Sequence, residues 1–279
     1  MPPKPDRWKE PRTDRDNPLG MAAHVRDLDV LDTVRRALDA GEVLLAYQPV
    51  MQARNAGKVA FYEGLVRVLD ATGRVIPAAQ FMAEAEQTEL GRKLDCHALR
   101  MGLRALATHP SLRLSINMSA RSIGYRPWRQ ILNRFLKKNP TLGERLILEI
   151  TETSAMTVPE IVAGFMADQQ KHGISFALDE FGSGPTSVKY LKDFYFDAVK
   201  IDGQFTTGIH ANPDNQVATA ALISVARHFD MFTVACRLEE PADAQYLSAL
   251  GADCLQGYLF GAPSVRPPWL PQRESRLFG

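Results

Sequence analysis

The sequence predicts a (β/α)₈ barrel that fills most of the chain. Eight short apolar runs alternate with eight longer amphipathic stretches over roughly 240 residues, which is the order typical of this fold. The apolar runs are rich in β-branched and aliphatic residues and do not alternate strictly with polar ones, as in strands buried on both faces. An open, doubly wound sheet is the alternative, but no glycine-rich phosphate turn follows the first predicted strand.

The predicted elements follow one another with short connections. In chain order the strands are Leu44–Val50, Val59–Val68, Leu112–Met118, Leu146–Thr151, Ser175–Asp179, Ala198–Asp202, Phe232–Cys236 and Asp253–Gly257. The helices are Val30–Ala40, Ala78–Leu90, Arg92–Thr108, Pro127–Lys138, Pro159–His172, Thr186–Asp193, Asp214–Phe229 and Pro241–Leu250. Gly173 and Gly251 follow predicted helices at positions where a left-handed backbone conformation is common.

The two ends of the chain differ in composition from the part between them. Residues 1–25 are charged and proline-rich, and residues 264–279 contain three prolines. We expect both to be tails, disordered or packed on the surface, that flank one domain over residues 26–263. The first twenty residues lack the apolar stretch of a signal peptide, and no apolar run approaches the length of a membrane helix.

Charge and cysteine content exclude several classes of protein. The 33 Lys and Arg residues nearly balance the 32 Asp and Glu residues, so no general attraction to a nucleic acid polymer or an anionic membrane is predicted. Cys96, Cys236 and Cys254 stand far apart without paired spacing, which favours a reducing compartment over a disulfide framework. We therefore expect a cytoplasmic protein without membrane contact.

Polar side chains recur near the ends of the predicted strands. They are Glu63, Asn117, Glu149 with Glu152, Asp179 with Glu180, Lys200 with Asp202, and Gln256. The carboxyl ends of parallel barrel strands meet at one face, so these groups should share a cavity. Oxygen ligands without His or Cys favour magnesium, manganese or calcium, and adjacent carboxylates can bridge two metals for phosphodiester hydrolysis. Any single acid is as readily explained as a helix cap or a surface ion pair, but the recurrence of polar residues at so many strand ends in register is not.

The motifs around these residues resemble those of one family. They are Tyr47–Gln48–Pro49; Glu63–Gly64–Leu65 with Arg67; Pro77 and Phe81 before Ala85–Glu86; Ser115–Ser119; Leu148–Glu152; Ala177–Gly184; Lys200–Ile201–Asp202; and Gln256–Gly257–Tyr258. From about Asp27 to Pro263 the chain thus resembles EAL domains, the bacterial cyclic di-GMP phosphodiesterases and their non-catalytic relatives. The resemblance implies a TIM-like (β/α)₈ barrel of the EAL type.

The resemblance also implies roles by position. Glu63, Asn117, Glu149 and Asp179 look like ligands of a first metal ion, Mg²⁺ or Mn²⁺, with Asp179 also reaching a second. Glu180 stands at a second-metal position, and Lys200 resembles the lysine that orients the attacking water. Glu152 resembles the glutamate that steadies the loop after the fifth strand. The ligand-contacting positions correspond to Gln48, Glu63, Leu65, Arg67, Glu239 and Gln256.

The chain departs from the family pattern at three places, two of which concern the second metal ion. Gly64 replaces the usual Ala, which predicts a modest effect and a looser strand. Glu180 replaces the usual Asp and adds a methylene to the reach of that carboxylate. Ala235–Cys236–Arg237–Leu238–Glu239 replaces Ala-Glu-Gly-Val-Glu, so a thiol stands where a carboxylate would serve a hard cation. Cys236 is interpreted as a small buried hydrophobe, with a redox-sensing thiol as the alternative.

These observations leave three functions open. The first is a cyclic di-GMP receptor with little or no turnover, which signals through a protein partner. The second is an active metal-dependent phosphodiesterase that produces linear pGpG, and the third is an interaction module without nucleotide binding. The first is favoured because the loss of second-metal groups weakens hydrolysis more than ligand binding. A homodimer is implied by the resemblance alone.

Overall fold

The computed structural model describes residues 30–184 and 191–270. The predicted N-terminal tail, residues 186–190 of the helix predicted at Thr186–Asp193, and residues 271–279 lie outside these ranges. Within them, each of the eight predicted strands is confirmed to within a few residues. A ninth short strand was not predicted. The strands are β1 (Val43–Gln52), β2 (Asn55–Leu69), β3 (Val75–Pro77), β4 (Leu114–Asn117), β5 (Leu146–Thr151), β6 (Ser175–Phe181), β7 (Ala198–Ile201), β8 (Phe232–Ala235) and β9 (Cys254–Gln256).

Eight of these strands close into a barrel, which confirms the predicted fold class. The sheet runs in the order β1-β9-β8-β7-β6-β5-β4-β2, β2 pairs back onto β1, and β3 extends the sheet from β2. Neighbouring strands from β2 through β4 to β9 are parallel, so their carboxyl ends lie at the same face. That face is the mouth of the barrel.

The first strand departs from the expectation of a parallel barrel. β1 runs antiparallel to both neighbours, with Val43 opposite Val68 in β2 and Val50 opposite Gln256 in β9. The reason is the connection to β2, which spans only residues 53 and 54. A parallel crossover needs a dozen or more residues, whereas a hairpin needs about two. Side chains from the middle of β1 therefore reach the mouth beside those of β2.

Helices cover the outside of the barrel. They span residues 30–40, Met82–Ala85, Glu89–Thr108, Arg126–Lys138, Glu152–Thr157, Pro159–Gln170, Gly203–Thr206, Pro213–His228 and Pro241–Leu250. The single helix predicted at Ala78–Leu90 is wrong. Thr88 adopts an extended backbone and its side chain accepts a hydrogen bond from the Leu90 amide, so a new helix begins there. The two short helices after β5 and β7 were not predicted. Gly173 and Gly251 have the expected positive φ angles of 79° and 100°.

An apolar layer between helices and strands stabilises the barrel. The indole of Trp128 contacts the ring of Phe165, which in turn contacts Phe176 of β6, with ring centroids 5.8 Å apart in both pairs. All three side chains are buried. Burying a large apolar side chain contributes about 1.5–3 kcal/mol each. This layer holds the helices of the middle of the chain against the strands that carry the polar groups of the mouth.

Residues 264–270, which were assigned to the C-terminal tail, pack on the first two strands. Tyr47 of β1 exchanges backbone hydrogen bonds with Ser264 at 2.9 and 3.0 Å. The Trp269 ring lies edge-on to Tyr47 and Tyr62, with centroids 5.1 and 4.5 Å away. None of the helices in the described ranges combines the length and the apolar character that crossing a membrane demands.

Candidate functional site at the barrel mouth

A cavity of about 550 Å³ opens at the mouth of the barrel. Nine of the predicted site residues line it: Gln48, Glu63, Leu65, Arg67, Asp179, Glu180, Lys200, Glu239 and Gln256. Asn117 and Glu149 lie at the ends of β4 and β5 in contact with this group, and Glu152 follows β5. The strand ends thus bring together the groups that the sequence pattern predicted.

Lys200 lies at the centre of the site. Its Nζ is 2.9 Å from Oε2 of Glu63, 2.6 Å from Oε2 of Glu149 and 3.6 Å from Oδ1 of Asp179. Lys200, Glu63 and Glu149 are buried, and Asp179 is partly exposed to the cavity. One ammonium therefore faces three carboxylates, which leaves this cluster with excess negative charge.

Because of this charge imbalance, the carboxyl groups of the cluster differ in pKa. Burial favours a raised pKa for Glu63, but the Lys200 charge and hydrogen bonds from Gln256 and Asn117 lower it to about 2. Burial and the neighbouring Glu63 raise the pKa of Glu149 to about 8 against the attraction of Lys200. Burial also raises the pKa of Asp179. The cluster thus keeps Glu63 ionised and favours a proton on Glu149.

Side-chain amides fix the orientation of Glu63. Nδ2 of Asn117 donates to one carboxylate oxygen at 2.8 Å, and Nε2 of Gln256 donates to the other at 2.6 Å. Nε2 of Gln256 is also 3.2 Å from Oε1 of Gln48, whose own amide donates to the Gly261 carbonyl. This chain of hydrogen bonds ties β1, β2, β4 and β9 together around one carboxylate.

The cluster fits a divalent cation. Glu63, Glu149 and Asp179 each offer a carboxylate oxygen, and these oxygens lie within 4.8 Å of one another. Oε1 of Glu149 is buried without a hydrogen-bond partner, as expected of an oxygen that a cation would contact. A hard cation would also supply the positive charge that the described cluster lacks and would displace the proton from Glu149.

Glu152 supports the loop after β6. It is fully buried, and its Oε2 accepts a hydrogen bond of 2.8 Å from the Gly182 amide. Glu180 stands at the end of β6 with a left-handed φ of 57°, and its exposed side chain borders the cavity. Partial desolvation of its carboxyl group, followed by the charges of Asp179 and Asp202, raises the pKa of Glu180.

The first position after β8 holds a thiol, where a hard cation would favour a carboxylate. Burial raises the pKa of the Cys236 thiol well above its usual value, so the group is neutral and is a poor ligand for a hard cation. Its Sγ lies 3.7 Å from Oε1 of Gln256. The next residue, Arg237, has a left-handed φ of 58° and lines the cavity.

Gly64 is packed more tightly than the sequence suggested. A β-carbon placed on Gly64 would lie 2.7 Å from Cδ1 of Ile116 and 2.9 Å from Cδ2 of Leu45. The expectation of a looser strand is therefore wrong, because these two side chains fill the space that a methyl group would take.

Three contributors to the site were not predicted from the sequence. The Gly261 carbonyl holds Gln48, and Gly203 lies directly beneath the side chain of Arg237. Tyr258 lines the cavity with an exposed ring, and its place in the Gln256–Gly257–Tyr258 motif was the available signal. Asp202, considered with the strand-end acids, also lines the cavity, and its side chain accepts the Gln204 amide as a helix cap.

A second cavity of about 500 Å³ lies between the helices Glu89–Thr108 and Arg126–Lys138. Its charged lining residues are Arg100, Arg104, Arg134 and Lys138. Because no carboxylate lines this cavity, it lacks the ligands that a hard divalent cation prefers. The barrel mouth remains the candidate site for metal-dependent chemistry.

Comparison with known proteins gives a consistent result. The family model described as EAL domain matches residues 31–263. Over 248 residues the chain is 30% identical to the cyclic di-GMP phosphodiesterase PdeB of Shewanella oneidensis, covering 88% of this chain and 29% of PdeB. It is 29% identical to the probable cyclic di-GMP phosphodiesterase PdeA of Escherichia coli, covering 84% and 32%. The chain thus spans about a third of the length of these curated relatives.

Solved structures show the same architecture. The PaMucR phosphodiesterase in complex with c-di-GMP superposes with a TM-score of 0.74 at 26% identity, covering 88% of this chain and 99% of the other. The FimX EAL domain of Pseudomonas aeruginosa bound to c-di-GMP gives a TM-score of 0.77 at 25% identity, with coverages of 85% and 97%.

Proposed function

The chain belongs to the EAL domain family, and from this membership we propose that it binds cyclic di-GMP at the barrel mouth with little or no hydrolysis. Two solved relatives carry this ligand. The cavity of about 550 Å³ has the size of a small-molecule site and contains both cationic and apolar side chains. The protein would then act as a receptor that signals through a protein partner.

One contrast carries this proposal. The carboxylates of Glu63, Glu149 and Asp179 remain clustered within 4.8 Å of one another, whereas the position after β8 holds the neutral thiol of Cys236. Hydrolysis by a two-metal site requires both cations to stabilise the attacking and the leaving oxygen. Ligand binding needs only the groups that contact the bases and phosphates, so it survives the loss of one cation.

The residues of the cluster would have two roles, metal binding and the positioning of the carboxylates. Glu63, Glu149, Asp179 and Asn117 would hold one Mg²⁺ or Mn²⁺ ion, which supplies Lewis-acid polarisation of a phosphate oxygen when bound. Lys200 keeps the carboxylates in place and carries positive charge toward the cavity.

Ligand contacts would come from the rim of the cavity. Arg67 is half-buried there, where its guanidinium is suited to a phosphate oxygen. Gln48, Leu65, Glu239 and Gln256 line the same cavity and would contact the rest of the dinucleotide.

Calorimetric titration with cyclic di-GMP, in EDTA and in Mn²⁺, tests binding, and chromatography of the same mixtures tests for pGpG. We expect saturable binding with one metal ion per chain and little product. An ordinary enzymatic rate would favour the phosphodiesterase alternative, and no binding under either condition would favour an interaction module.

The altered second-metal position has its own test. The double variant Cys236→Glu, Glu180→Asp restores one carboxylate and shortens the other, so a second ion should bind and turnover should rise by orders of magnitude. Arg237→Gly is added in a third variant, because the arginine charge competes with an incoming cation. A restored protein that binds two metal ions and remains inactive would place the defect elsewhere.

A further inference from the structure

Arg237 has a backbone conformation that disfavours its own side chain. Its φ of 58° lies in the left-handed region, where a β-carbon is strained and glycine is preferred. Among the described residues, the only other non-glycine positions with positive φ are Glu180 and Asp230. Strained residues of this kind persist where the surrounding structure holds them and concentrate at functional sites. Two of these three line the mouth.

The fold provides a specific place for the Arg237 side chain. A β-carbon built on Gly203 would lie 2.2, 2.8 and 2.9 Å from Cδ, Cγ and Cβ of Arg237. The aliphatic part of the arginine therefore lies directly on the Gly203 backbone, and any larger residue at position 203 would displace it. This contact fixes the direction of the side chain along the wall of the cavity.

The guanidinium of Arg237 is available for a ligand. Within residues 30–184 and 191–270 it forms no hydrogen bond or ion pair. Its charge is nevertheless close enough to Glu180 to lower the pKa of that carboxyl group, against the effects that raise it. The lining of the cavity contains two other cations, and Lys200 is already engaged with three carboxylates. Arg67 and Arg237 are therefore the two lining cations without a carboxylate partner in the described structure.

We propose that Arg237 binds a phosphodiester oxygen of the cyclic dinucleotide and serves as a fixed cation in place of a second metal ion. This rests on the proposed function and assigns a residue that determines how the ligand is held. A cyclic dinucleotide has two phosphates, and the cavity presents two guanidinium groups that no carboxylate pairs with in the described ranges. A guanidinium donates paired hydrogen bonds to a phosphate but cannot activate a water molecule as a metal ion does.

A permanent cation predicts ligand binding that depends little on metal. Wild-type protein should therefore bind cyclic di-GMP in EDTA with an affinity within about tenfold of that in Mn²⁺. The loss of the Arg237 charge should matter most in EDTA, because no metal ion is then present to contact the phosphates.

The test compares Arg237→Gly, Arg237→Lys and Asp230→Gly. Asp230 lies just before β8, at the opposite end of that strand, and its left-handed φ of 56° makes it a matched control. Both glycine variants relieve backbone strain, so their thermal unfolding midpoints should not fall. In EDTA, Arg237→Gly should weaken cyclic di-GMP binding by about ten- to a hundredfold. Arg237→Lys should lose part of the affinity, and Asp230→Gly none.

The outcomes separate this inference from the proposed function. If wild-type protein binds cyclic di-GMP and Arg237→Gly binds equally well in EDTA, Arg237 is not a ligand contact, while the receptor proposal stands. If wild-type protein does not bind at all, both fail. A lower unfolding midpoint for Arg237→Gly, with parallel losses in every condition, would show that Arg237 is structural.

Discussion

Replacing Asp95 by Asn should flatten the pH dependence of stability of this protein. The Asp95 side chain is buried on the helix Glu89–Thr108. Its Oδ2 accepts a hydrogen bond from the Ser122 hydroxyl at 2.6 Å and another from the Ser119 amide at 3.0 Å. These bonds connect the helix to the loop that follows Asn117. Burial nevertheless outweighs them and raises the pKa of Asp95 from 3.8 to about 7.

The sign and size of the effect follow from this raised pKa. Between pH 3.8 and about 7 the folded protein holds a proton that the unfolded chain releases, so stability falls as the pH rises. The slope is about 1.4 kcal/mol per pH unit. Between pH 5 and pH 8.5 this slope applies over about two pH units. The ionisation of Asp95 alone should therefore lower the free energy of unfolding of the wild type by about 3 kcal/mol. Above about pH 7 both states are ionised and the loss is complete.

Urea unfolding followed by tryptophan fluorescence at pH 5 and pH 8.5 measures this difference. The stability of Asp95→Asn relative to wild type should rise by about 3 kcal/mol between the two pH values, whatever the packing cost of the amide. Asp39→Asn, at an exposed aspartate, is the control and should show no such change. Equal pH profiles for Asp95→Asn and wild type would mean that the two hydrogen bonds keep Asp95 ionised.

Three further predictions concern the mouth. Arg67→Ala should weaken cyclic di-GMP binding by about 1.5–3 kcal/mol in calorimetry, and an unchanged affinity would remove Arg67 from the site. Gly64→Ala should destabilise the fold by about 1 kcal/mol because its methyl group would lie 2.7 Å from Ile116, and adding Ile116→Val should recover part of this loss. Strictly additive effects in urea unfolding would contradict that contact. Glu152→Gln should speed hydrogen exchange at the Gly182 amide by about tenfold, whereas an unchanged rate would show that the charge does not hold the loop.

The strands were predictable because their signal is local. A strand covered on both faces needs continuous apolar residues, and β4 to β9 show this pattern in the sequence itself. The direction of β1 was not predicted, since pairing depends on strands far apart in the chain. The available sign of a hairpin was the gap between the predicted strands Leu44–Val50 and Val59–Val68, which is too short for a parallel crossover. The break between the two helices after β3 was predicted at Gly91 and lies at Thr88, because the amphipathic pattern continues across Thr88.

The residues of the site also fall into those that the sequence predicts and those that it does not. Glu63, Glu149, Asp179 and Lys200 stand near strand ends, so a barrel fold alone predicts that they meet. The left-handed backbone of Arg237 was not predicted, although the glycine at this position of the Ala-Glu-Gly-Val-Glu pattern was the available signal. Gly203 carried no such signal, although it provides the space in which that arginine lies.

The position of β1 between β2 and β9 has a consequence for synthesis on the ribosome. One edge of β1 pairs with the next strand, but the other waits for Cys254–Gln256 and Ser264. About 200 residues separate these partners, which corresponds to about 10–40 s of translation. During that time the nascent chain presents an unpaired strand edge that can join another polypeptide. The yield of folded barrel should therefore depend more on translation speed and chaperone binding than on the stability of the folded state.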